Sequence, residues 1–127
     1  MHKSHNPPNV PKPGSYHHGV EVAPNARWLY ISGQLGMTPD GKVLDGTAAQ
    51  AEQAWMNIKN ILAAAGMGVE NLVKVTTFII NPADVGVVRA AREKVLGGVR
   101  AASTLLVIQA LASPEYRIEI EAVAAKS

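Results

Sequence analysis

Between Thr47 and Gly66 the apolar residues Ala51, Trp55, Ile58, Leu62 and Ala65 recur at three- and four-residue spacing. That period lines one side of an α-helix. Thr47-Ala48-Ala49-Gln50 has the form of a capping box, in which Thr47 accepts from first-turn amides while Gln50 reaches back, and Gly66 is a natural stop. A second helical stretch, VGVVRAAREKVL, follows Asp84 as a candidate cap and ends at Gly97-Gly98. Elsewhere the period shortens to two or the residues become β-branched. Strands are predicted at Tyr16 to Val22, Trp28 to about Leu35, Asn71 to Ile80, Ala102 to Ala110 and Tyr116 to Ala124. In the last of these, Ile118, Ile120 and Ala122 share one face while Arg117, Glu119 and Glu121 share the other. Turn signals separate the strands at Pro24-Asn25-Ala26, Thr38-Pro39-Asp40-Gly41 and Ala112-Ser113-Pro114.

The order β-β-α-β-α-β-β is most simply satisfied by an α+β sandwich, with both helices on one face of a single mixed sheet. The opposite face then needs a cover, and a second copy of the chain is the simplest one. Residues 1–14 break the pattern: they hold four prolines and no hydrophobic period, so they read as an extended arm or frayed terminus ahead of a single domain at 15–127.

Composition changes this picture little. At 127 residues, 47% hydrophobic and 17% charged, the chain is an ordinary globular domain. Aromatics are 5%, so the core must be aliphatic. No apolar run approaches a membrane span and no signal-like segment opens the chain. The absence of cysteine excludes disulfides, thiolate metal sites and thiol catalysis, and fits a cytoplasmic protein. A net charge of +2, with Lys and Arg scattered, gives no nucleic-acid footprint.

The candidate chemistry is sparse. His2, His5, His17 and His18 crowd the N-terminus, but His17 and His18 would point to opposite faces of a strand, so solvent-facing histidines are the plainer reading and no metal site is expected. Ser32-Gly33-Gln34 reads as a strand end where glycine lets a ligand or another backbone approach; no histidine is placed to activate the serine. Gly66-Met67-Gly68 follows a helix rather than opening one, so it is a stop and not a phosphate loop. Glu119 and Glu121 could share a proton or activate water, or could form a solvated face. Arg89 and Arg92, three apart on the second helix, read first as a solvated helix face.

Taken together, SYHHGVEV, YISGQLG, AAQAEQAWMNIKNILAAAG, LVKVTTFI and LASPEYRIEIEAVA resemble the Rid family, the reactive-intermediate deaminases also called YjgF-type or endoribonuclease L-PSP proteins. The resemblance runs from about Tyr16 to Ala124. It implies a chorismate-mutase-like fold and a homotrimer with a small-molecule cleft at each subunit interface. It further implies hydrolysis of 2-imino or enamino acids to the keto acid and ammonia, without cofactor or metal. Matched position by position, it implies that Tyr16 and the backbone of Ser32 and Gly33 face the ligand and that Glu119 helps activate water. Deaminating members also carry an arginine on the fourth strand, in a Pro-Ala-Arg-Ser context, that clamps the substrate carboxylate. Here that place falls on Thr104, or on Ser103 if the turn holds one extra residue, while Arg100 lies just upstream. A charged hydrogen bond contributes roughly 1.5 to 3 kcal/mol, so the loss bears directly on activity. Arg89 falls at the cleft rim and could offer a substitute grip. The resemblance therefore leaves a deaminase with an altered pocket, a trimeric binding or sensor protein without turnover, and RNA cleavage, which lacks a basic stripe or stacking aromatics here.

Overall fold

The computed structural model describes residues 2–127. In chain order its elements are β1 (Lys3–His5), β2 (Gly19–Glu21), β3 (Arg27–Leu35), α1 (Thr47–Ala64), β4 (Leu72–Ile79), α2 (Val85–Leu96), β5 (Ala102–Val107) and β6 (Ile118–Lys126), with short 3-10 turns before β4 and α2. Four strands form one mixed sheet in the order β3-β6-β4-β5. β6 runs antiparallel to both β3 and β4, and β5 lies parallel to β4 after the α2 crossover.

The helices cover one face of this sheet. Trp55, Ile58 and Leu62 of α1 are wholly buried, and with Val88, Ala91 and Leu96 of α2 they pack on Ile31, Val75, Ile79, Ile118, Ile120 and Ala122. The period-two residues of β6 and the period-3.6 residues of α1 thus meet in one aliphatic core, as the sequence pattern requires. The other face carries Glu119, Glu121 and Val123 of β6 beside Phe78, Thr76 and Lys74 of β4, with Tyr30 of β3 and Thr104 and Leu106 of β5 further along the same rows. Tyr30 is 76% exposed and stacks on Trp28 at 6.5 Å.

The helix starts differ from expectation. Gly46 occupies the cap of α1 with no side-chain bond, so no capping box forms. Gln50 instead turns inward, where its Nε2 donates to the carbonyls of Leu44 and Glu115 and its Oε1 accepts from the Arg117 amide, at 2.8–2.9 Å. A buried amide that satisfies three backbone groups on two loops outweighs one local cap. Thr47 Oγ1 donates to Asp84 Oδ2 at 2.8 Å, so the two presumptive caps tie α1 to the start of α2. The Asp84 side chain caps nothing; Asn81 holds the 3-10 turn by accepting from the Ala83 amide. At the other end of α1, Gly66 takes a positive φ of 70° and the Met67 amide donates back to the Leu62 carbonyl, a glycine stop as predicted.

The N-terminal stretch is not wholly an arm. β1 pairs antiparallel with β2, with Lys3 opposite Glu21 and His5 opposite Gly19. His5 Nε2 sits 2.7 Å from Glu21, His2 Nε2 3.0 Å from the Asn71 carbonyl, and Asn6 accepts from the His18 amide. The expected first strand at Tyr16 to Val22 shrinks to Gly19–Glu21 and joins this hairpin rather than the main sheet. Tyr16 to His18 remain tied to the sheet by one parallel bridge, His17 to Ala102. The last two strands also shift, β5 ending at Val107 and β6 running from Ile118 to Lys126.

Candidate functional site

Two clusters of the sequence-selected residues form, on opposite faces of the sheet. The first surrounds a cavity of about 690 Å³ lined by Tyr16, Val85, Arg89, Arg92, Glu93, Ser103 and Leu105, among others. Each wall has a local cause. The His17 amide donates to the Ala101 carbonyl at 3.0 Å, which holds Tyr16 beside the start of β5. Tyr16 packs edge-on against His18, whose Nε2 meets the Pro11 carbonyl at 2.5 Å. Ser103 lies opposite the buried Val75 and therefore looks to the helix side of the edge strand. Arg89 and Arg92, one helical turn apart on α2, close the cavity from above.

Of the two positions left open for the missing arginine, Ser103 enters this cavity and Thr104 does not. Thr104 pairs with Thr76 on the helix-free face, where its Oγ1 accepts from Lys74 Nζ at 2.5 Å. Arg100 also stays outside. Its Nη1 donates to Glu93 Oε2 and to the carbonyls of Gly97 and Val99, each at 3.3 Å, and it borders a separate small pocket with His2, His17 and Glu70.

The second cluster is Ser32, Gly33 and Glu119. These glycine-containing residues lie inside β3 rather than at its end, at a bulge between Ile31 and Gln34. The bulge brings the Gly33 backbone against Glu119: a Cβ there would overlap the carboxylate, with Cδ only 2.6 Å away. Glycine at 33 is thus the space in which the Glu119 side chain lies. Glu119 alternates with Ile118 and Ile120, which are wholly buried, so it leaves the opposite face of the sheet from Ser103. β4 also separates β6 from β5, a lateral distance of about 10 Å. Within one chain the two clusters do not meet.

Arg92, which the sequence offers with Arg89 first as part of a solvated helix face, lines the cavity. Its side chain is 13% exposed, its Nε has no hydrogen-bond partner among the described residues, and Nη2 is 3.9 Å from Glu93 Oε1. Burial pushes this guanidinium below its ordinary range; Glu93 opposes that, while Arg89 and Arg100 add to it. A helix face bearing Arg89 and Arg92 looks solvated in sequence, and only the placement of β5 beneath it makes a cavity. Among the described residues no group of three His, Cys, Asp or Glu could hold a metal, and no helix is long and apolar enough to cross a membrane.

A two-helix layer on a mixed sheet, with a cavity at one edge and a carboxylate on the open face, is an α+β, chorismate-mutase-like architecture. The chain belongs to the Rid (YjgF) family: the family model Endoribonuclease L-PSP matches residues 9–126. The 2-iminobutanoate/2-iminopropanoate deaminase of Rattus norvegicus is 37% identical over 113 residues, covering 87% of this chain and 80% of that protein. A RutC family protein of Aquifex aeolicus is 43% identical over 74 residues, but that match spans 57% of each protein. Among solved structures, the Rid protein YyfB of Yersinia pestis superposes with a TM-score of 0.88 at 30% identity, covering 98% of both chains. TdcF of E. coli with bound serine superposes with a TM-score of 0.75 at 25% identity, covering 90% of both.

Proposed function

We propose that this protein hydrolyses a small imine or enamine acid to the corresponding carbonyl compound and ammonia, in clefts formed between copies of a homotrimer. The observation that carries the reading is the convergence of Tyr16, Arg89 and Ser103 on one cavity, in a chain similar to a 2-iminobutanoate/2-iminopropanoate deaminase. Glu119 is the general base: its carboxylate orients and deprotonates a water that adds to the C=N carbon, and the nitrogen leaves as ammonia after protonation. The backbone at Ser32 and Gly33 positions the reacting end, and Tyr16 covers it. No cofactor or metal takes part. Because Glu119 and the Ser103 cavity leave opposite faces of one sheet, a complete site needs Glu119 from one copy and the cavity from the next, which supports assembly into a closed ring.

The test generates 2-iminobutanoate in situ with an amino-acid oxidase and traps what survives with semicarbazide. The protein should lower trapping, and Glu119→Gln should restore it. If trapping is unchanged while 2-oxobutanoate still binds, the cleft is that of a binding protein without turnover, the reading that the missing β5 arginine favours.

A further inference from the structure

We infer that Arg92 of α2 is the anion-gripping residue of this cavity, and that it selects ligands carrying a carboxylate. This rests on the reading of the cavity as the substrate-holding half of the site. Arg89, Arg92 and Glu93 line the cavity, and Arg100 bonds Glu93 from behind, so three guanidinium groups stand near a single carboxylate that only Arg100 hydrogen-bonds. Glu93 is already committed to Arg100 at 3.3 Å and stands 3.9 Å from Arg92, beyond hydrogen-bond distance. A guanidinium has five N–H donors in a planar fork and keeps its proton at neutral pH. One that is largely out of water, with Nε orphaned and Glu93 no nearer than 3.9 Å, carries a desolvation cost that the chain offsets only in part. A carboxylate bound in the cavity adds a partner for the terminal Nη groups, which are the part of the fork that can face a ligand, in a two-point grip.

Three further features narrow the ligand. Ser103 has a hydroxyl short enough to leave room for the Arg92 fork, where an arginine on β5 would add a further cation beside Arg89 and Arg92. Val85, Ala90 and Leu105 make part of the wall apolar, which suits a short carbon chain better than a fully hydrated phosphate. Arg89 is exposed, so its charge is screened and its grip is the weaker of the two. The clamp position has in effect moved from the edge strand to the helix above it.

The test uses isothermal titration with 2-oxobutanoate, its uncharged amide and inorganic phosphate. Wild type should prefer 2-oxobutanoate to both. Arg92→Met should weaken 2-oxobutanoate by about 30-fold or more, Arg92→Lys by about 5- to 10-fold, and Arg89→Met by less than Arg92→Met. Binding of the amide should not respond to Arg92→Met. In wild-type protein labelled with nitrogen-15, the Arg92 guanidinium resonances should shift on adding 2-oxobutanoate, a readout independent of how any variant folds. Phosphate binding tighter than 2-oxobutanoate, an unmoved resonance, or Arg89→Met as the more damaging change would each overturn the assignment. Imine turnover that survives Arg92→Met intact would remove this inference and leave the proposed activity standing; carboxylate binding through Arg92 without turnover would do the reverse.

Discussion

Glu119 and Gly33 act as a pair, and each is informative only because of the other. The carboxylate lies where a β-carbon at 33 would stand. Since the obstructing atoms are the far end of a flexible side chain, Gly33→Ala should fold and melt close to wild type while pushing Glu119 out of place. Imine hydrolysis should then fall about tenfold or more, with the circular dichroism spectrum unchanged. Glu119→Gln keeps the shape and removes the proposed base, so the rate should drop on the order of a hundredfold or more while 2-oxobutanoate affinity changes little. A parallel loss of affinity in Glu119→Gln would mean that the carboxylate holds the ligand rather than acts on water. At this scale the IEIE alternation put Glu119 and Glu121 together on one face, and family resemblance put forward Glu119, Tyr16, Ser32 and Gly33 as candidates. Arg92 stayed hidden because helical spacing alone does not distinguish a solvated arginine from one pressed against an edge strand.

Among the elements, α1 shows how a correct helix can be read with the wrong reason for its start. Its buried stripe of Ala51, Trp55, Ile58 and Leu62 is the periodicity itself. Thr47 and Gln50 resemble a capping box, yet both are taken by tertiary partners. Those partners, Asp84, Leu44, Glu115 and Arg117, are remote or loop residues whose proximity exists only after the sheet forms. Gln50→Leu would leave two carbonyls and one amide without partners and should cost roughly 2 to 4 kcal/mol in denaturant unfolding. A cost below that of an ordinary helix cap, about 1 kcal/mol, would show that water replaces the amide. β1, and with it the pairing with β2, escaped sequence reading for a different reason: a strand of three residues beside a proline-rich stretch carries too little pattern to register. Its bonds through His2, Asn6 and His18 hold the segment that ends in Tyr16. Deleting residues 2–6 should therefore leave the core folded, with near-native secondary structure by circular dichroism. Affinity for 2-oxobutanoate should weaken several-fold as Tyr16 loosens. Unaltered affinity would mean that the His17 to Ala101 bond alone fixes Tyr16.

At the scale of the whole molecule, the helix-free face of the sheet remains to be explained. Tyr30, Trp28 and Leu106 are well exposed there in one chain, Leu106 in a row with Phe78 and Glu119, and Tyr30 in the row of Val123. Open apolar sheet faces of this kind are usually covered. Sedimentation should give about three times the 13.4 kDa mass of one chain, and Leu106→Asp should lower both the mass and the rate of imine hydrolysis. A Leu106→Asp monomer with full activity would place the site within one chain. The α+β layering and the mixed sheet were legible from period and order alone; the separation of Glu119 from the cavity was not, because strand order β3-β6-β4-β5 depends on pairings far apart in sequence.

In the proposed site one copy supplies Glu119 and its neighbour supplies the cavity. The most direct measurement mixes two inactive variants, Glu119→Gln and the cavity-filling Ser103→Trp, through reversible unfolding and reassembly. In a mixed ring, an interface that joins the intact cavity of the first to the intact Glu119 of the second is whole. At equal mixing, about a quarter of the sites are restored, so the imine-hydrolysis rate should recover to about a quarter of wild type. A mixture no more active than the average of its two parents would contradict the account and place Glu119 and the cavity in the same subunit's site.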